Sequence, residues 1–162
     1  MSNQVYSNFE TRKLYRSSES LDCQTMGPNQ IVPDSLVVQN VGPFLLLPVN
    51  ANYTYVPSTG FLQFHTEGVY AISLNTIWTT TNDNGVIAQY MDIDGASLPK
   101  FGYVTAKPVV GVSPSSLYSN IVLRINAGQN IRFRCFGSNT GTQTIIGSSG
   151  NPRTEFCVSK LS

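Results

Sequence analysis

SSLYSNIVLRINAGQNIRFRCF, residues Ser115 to Phe136, alternates apolar and polar side chains, breaks at Ala127-Gly128 and alternates again. Side chains two positions apart share a face of a strand, so the pattern predicts two strands joined by a tight turn. In the first strand Ile121, Leu123 and Ile125 share one face, and Val122 and Arg124 share the other with Tyr118 and Asn120. In the second, Ile131, Phe133 and Cys135 alternate with Arg132 and Arg134. The apolar sets belong to a core. The opposite sets of the two strands are neither fully polar nor fully apolar, which predicts surfaces that meet another chain.

The same reading extends outward. In GVYAISLNTIW, Gly68 to Trp78, the residues Tyr70, Ile72 and Leu74 share a core face, while Val69, Ala71 and Ser73 look the other way. Small residues on that second face let a neighbour approach closely. From Ile31 onward, short runs rich in Val, Ile, Thr, Tyr and Phe are separated by Gly, Pro, Asn and Asp clusters, giving roughly eight to ten short strands. No window holds an apolar set at helical spacing. The fold class is therefore all-β, an antiparallel sandwich, jelly roll or barrel. Residues 1–30 are polar and lack periodicity, with Arg12, Lys13 and Arg16 close together. They read as an N-terminal arm or anchor, and residues 31–162 as the folded domain.

Composition narrows the function classes. Charged residues make up 12% of the 162, about half the usual share, so the polar surface is built from Ser, Thr, Asn and Gln. Formal net charge is +1, without the basic block that duplex binding needs, so no nucleic-acid partner is expected. No signal-peptide core is visible, and no run of about 18 apolar residues predicts membrane insertion. The three cysteines, Cys23, Cys135 and Cys157, lack the close spacing of a zinc or redox motif. Three free buried thiols is the plain expectation, with a Cys135–Cys157 bridge as the alternative. The sequon at Asn52-Tyr53-Thr54 reads as an ordinary polar strand edge.

Three segments resemble a known superfamily. TEGVYAISLNTIW (Thr66 to Trp78) resembles the Gly-x-Tyr-x-Ile/Phe strand of the tumour necrosis factor and complement globular-head proteins. LYSNIVLRINAGQNIRFRCF (Leu117 to Phe136) resembles their strand–turn–strand, and TEFCVSKL (Thr154 to Leu161) their closing strand. The likeness runs roughly from Phe61 to Leu161. Gln129 stands where the family often has Asp, and Cys157 where it often has Gly. The resemblance implies a jelly roll in a compact homotrimer without enzymatic activity. In the tumour necrosis factor branch three positions face the threefold axis, and they carry over to Tyr118, Ala71 and Glu155; strand parity adds Val122 to this expected trimer interface. Three copies of Glu155 near an axis would repel, so the carboxylate must turn outward, pair with a base such as Arg153, Arg132 or Arg124, or take up a proton or cation.

Catalytic signals are poor. His65 is the sole histidine, and no Gly-x-Ser-x-Gly elbow or phosphate-binding glycine loop occurs. Asp92 and Asp94 lie two residues apart in MDIDGASL and are weak calcium candidates; Asp94-Gly95 as a hairpin turn is the plainer reading. No cofactor is expected. The favoured function is a non-enzymatic structural or recognition subunit, a virion surface or minor capsid component such as a spike, fibre head or decoration. Its partners would be itself, neighbouring capsid or spike proteins bound through the arm, and a cell-surface receptor or glycan. The alternative is a carbohydrate- or receptor-binding module with Trp78, Tyr53, Tyr55 or Tyr103 as its aromatic platform. An all-β trimeric hydrolase is the least supported, because the chain has only nine carboxylates.

Overall fold

The structure, a computed structural model, describes residues 22–33, 38–45, 50–80, 85–94, 101–107, 114–138, 143–148 and 153–162. Among them are the strands β1 (Asp22–Thr25), β2 (Gln30–Val32), β3 (Gln39–Asn40), β4 (Tyr53–Val56), β5 (Phe61–Phe64) and β6 (Gly68–Thr80). They continue with β7 (Val86–Ile93), β8 (Phe101–Ala106), β9 (Ser115–Ile125), β10 (Asn130–Ser138), β11 (Gln143–Ile145) and β12 (Glu155–Lys160). Two antiparallel six-stranded sheets result, as the alternating runs predict. The first runs β1-β12-β6-β11-β2, with β9 along the other side of β6; the second runs β4-β5-β10-β7-β8, with β3 also on β10.

Sheet one is organised around β6. Its long run of thirteen residues pairs with β9 along one edge and with β12 and then β11 along the other. The parity read from the sequence holds here: Tyr70, Ile72 and Leu74 are fully buried, as are Ile125, Ile131 and Cys135. Phe44, Phe133 and Phe156 meet edge-on or tilted, with centroids 4.7 to 5.8 Å apart, and join the sheets through close aromatic contact.

The turn at Ala127-Gly128 differs from a hairpin. β9 lies in the first sheet and β10 in the second, so the turn carries the chain across the sandwich. Gly128 sits at φ 87°, a conformation that a side chain resists, and its N–H donates to Phe64 O at 2.8 Å. Turning over the edge of the sandwich lets both apolar sets point into one core.

One buried polar residue also ties the sheets together. Gln89 of β7 is fully buried, and its side-chain amide lies 3.0 Å from Leu74 O, 3.2 Å from Leu117 O and 2.8 Å from Ser119 Oγ. Thr76 Oγ1 donates to its carbonyl and accepts from Trp78 Nε1 at 2.7 Å. A buried amide left unpaired is costly, so this network makes the relative position of β7, β6 and β9 specific. Gln89→Leu should lower stability by about 2–3 kcal/mol, because Thr76 and Ser119 lose their partner in the core; a shift in the urea midpoint checks it.

Two sequence expectations are corrected. The boundary at residue 30 falls too late. Asp22–Thr25 pairs residue by residue with β12, and Met26, which is fully buried, donates its N–H to Thr154 O at 2.9 Å. The cysteines are not three free thiols, nor is there a Cys135–Cys157 bridge. β1 places Cys23 directly opposite Cys157, Cα atoms 4.0 Å apart, and the two form a disulfide. Cys135 lies in the other sheet, and burial pushes its thiol up to about 12. One reactive thiol per chain is therefore expected in denaturant without reductant, and three after reduction. The unfolded chain ionises Cys135 from about pH 9 whereas the folded one holds the proton, so stability linked to this group is constant below pH 9 and falls above it. Arg12, Lys13 and Arg16 lie outside the described residues.

Candidate assembly face on the first sheet

Directly opposed residues of antiparallel strands share a face, so the register fixes what the outer side of sheet one presents. Tyr118, Asn75, Glu155 and Thr25 form one row across β9, β6, β12 and β1. Asn120, Ser73, Cys157 and Cys23 form the next, and Val122, Ala71 and Ser159 the third. Successive rows are about 6.8 Å apart. The four residues expected at a subunit contact, Ala71, Tyr118, Val122 and Glu155, thus lie on one face, with Tyr118 and Glu155 flanking Asn75.

The chemistry of the face is uneven in a useful way. Tyr118 and Val122 are 60% and 57% exposed, among the largest exposed apolar side chains. Between and beside them stand Ser, Thr, Asn and Ala. Ala71 contributes only a methyl, already 4% exposed, so the centre is flat. Ser116 Oγ donates to Asn75 Oδ1 at 2.8 Å and fixes that amide beside Tyr118. Glu155 is the carboxylate of the rows. Arg124 pairs with the exposed Glu67, whose carboxyl its guanidinium holds below the usual range, and Arg132 pairs with Asp92. Two of the bases considered as partners for Glu155 are thus engaged elsewhere, and among the described residues no ion pair reaches it.

The other sequence candidates fall apart in space. Asp92, 2% exposed, lies on the outer side of sheet two, where Arg132 Nε donates to Oδ1 at 3.2 Å and Arg134 Nε lies 3.5 Å from Oδ2. Asp94 accepts from Asn130 N at 2.9 Å, with φ 52° at the end of β7. Asp92 thus stands in an ion-pair cluster and Asp94 in a turn contact, and among the described residues no group of three or more metal-binding side chains occurs. Asp92→Asn should lower stability by about 2–3 kcal/mol, below the full cost of breaking a buried pair because the guanidiniums are partly solvated. Added calcium should not move the wild-type melting temperature.

The aromatic platform also dissolves. Trp78, Tyr53 and Tyr55 are buried in the core, Tyr55 with its hydroxyl 3.4 Å from Phe44 N and its ionisation pushed upward by desolvation. Tyr103 is 48% exposed and tilts against Tyr90, centroids 6.0 Å apart. His65 lies 2.7 Å from Thr54 Oγ1 on the surface. The sequence reading missed the Cys23–Cys157 pair in the middle row, whose signal lay only in the position of β1.

The two antiparallel sheets form a sandwich whose fold is that of tumour necrosis factor-like jelly rolls. Solved structures share it at low identity. The Eiger TNF of S. frugiperda superposes with a TM-score of 0.62 at 14% identity, over 88% of this chain and 92% of that one. Two structures of murine APRIL give 0.61 and 0.58 at 13% identity, covering 86% and 87% of this chain and 97% and 99% of theirs. No protein-family model and no curated protein matches the sequence.

Proposed function

We propose that the chain is a non-enzymatic recognition subunit that assembles as a homotrimer through the outer face of sheet one. One observation carries this reading: two large apolar side chains, Tyr118 and Val122, stand exposed on a face whose other rows hold small residues and the single carboxylate Glu155. A monomer gains nothing by exposing them, and homo-oligomers close by symmetry around such patches. The resemblance of the strand–turn–strand and closing strand to the tumour necrosis factor superfamily supports a threefold arrangement. Loops at the ends of the sandwich are then free to meet a receptor or glycan.

The low charge of the chain suits packed assemblies. With the polar N-terminal stretch holding Arg12, Lys13 and Arg16, it supports a place on a virion surface or in its minor capsid components. Val122→Lys tests the assembly directly. The variant should keep the wild-type circular dichroism spectrum and run as a monomer in native mass spectrometry. A variant that stays assembled would move the contact away from this face.

A further inference from the structure

The Cys23–Cys157 disulfide occupies the middle row of the assembly face, between the row of Tyr118 and the row of Val122. Its cross-strand neighbour is Ser73, followed along the row by Asn120, so among the described residues of the row no large side chain stands beside it. Cys23 is the more exposed partner, while Cys157 is 9% exposed. The bond also fastens an edge strand. β1 is only four residues long, with β12 as its strand neighbour and one hydrogen bond from Leu45 N to Thr25 O at 2.8 Å on its other side, and it supplies Cys23 and Thr25 to the face.

We propose that this disulfide is a redox-modification site for dithiol reductants, and that self-association controls access to it. The inference rests on the proposed assembly through the same face. An incoming thiolate attacks Cys23 Sγ, the S–S bond breaks, and Cys157 leaves as a thiolate that takes up a proton. The reductant's second thiolate then attacks the mixed disulfide, releasing Cys23 as a thiol and closing the reductant to its own disulfide. Two electrons and two protons reach the protein, and the dithiol is oxidised. A second copy that spans the face from Tyr118 and Val122 on β9 to β1, about 14 Å away across three strand spacings, covers the disulfide and blocks the first attack. Reduction in turn leaves β1 held by its ladder, by Met26 and by the Leu45 N–H on Thr25 O, so Cys23, at the far end from these contacts, is the face residue it frees. By linkage, the factor by which the disulfide favours assembly is the factor by which assembly favours the disulfide.

The experiment uses the full chain with dithiothreitol as the reductant. Sedimentation first establishes the concentrations at which copies associate. Thiol release is then timed below and above that range. Reduction should slow by about tenfold or more in the associated range, because exchange rates depend on access to the attacked sulfur. Tyr118→Ala, which weakens association, should restore the fast rate at the same concentration. Equal rates in dilute and in demonstrably associated protein would overturn the inference and leave the assembly intact. A chain that stays monomeric at every concentration would overturn the assembly reading and this inference together.

Discussion

Cys23→Ser is expected to lower the stability of the domain by about 2–5 kcal/mol. The bridge joins residues 134 apart in sequence. The chain-entropy model assigns about 5 kcal/mol to a loop of that length, which sets the upper end. The loss falls on a four-residue strand with a single strand neighbour, held otherwise at its C-terminal end by the buried Gln24 and Met26 and by the Leu45 N–H on Thr25 O. Urea unfolding without reductant should show the midpoint of the variant well below wild type, and wild type in excess dithiothreitol should move to meet it. Coincident midpoints for variant and oxidised wild type would show that the bridge contributes nothing. Deleting residues 1–30 should cost more still, because it also removes Met26 from the core and the Met26–Thr154 hydrogen bond.

Tyr118→Ala should weaken trimer formation by about 2–4 kcal/mol, the range of a buried interface aromatic. Tyr118 is exposed in the single chain, so its removal leaves no cavity and the monomer fold should survive. Its ring lies at the edge strand β9, opposite Asn75, where a neighbour could cover apolar surface while leaving the hydroxyl a polar partner. Dilution of the variant should reveal monomer at concentrations where wild type remains assembled. A variant that stays fully trimeric on dilution but loses binding to a receptor would instead make Tyr118 a partner contact.

The strands of the core were legible in the sequence because their alternation is local. Tyr70, Ile72, Leu74, Ile121, Leu123 and Ile125 declare their face by parity alone, and the outer residues of β6 and β9 follow. What could not be read depends on partners far along the chain. Asp22-Cys23-Gln24-Thr25 has no apolar alternation, and only its pairing with β12 makes it a strand. Asp92 is no more than a weak calcium candidate in the sequence, through its near neighbour Asp94, and nothing local shows that register brings Arg132 opposite it and Arg134 two residues on. Tyr53 and Tyr55 present hydroxyls that suit surface or core equally, and burial against Phe64 and Phe44 decided for the core. Gln89, within an otherwise apolar run, gave no sign that its partners lay on two other strands.

Sedimentation equilibrium of the oxidised 162-residue chain decides whether it assembles as a trimer. At micromolar concentration and neutral pH one species with three times the 17.7 kDa mass of the chain is expected. A single species at 17.7 kDa with a native circular dichroism spectrum would contradict it, because Tyr118 and Val122 would then stand exposed with no second copy to cover them.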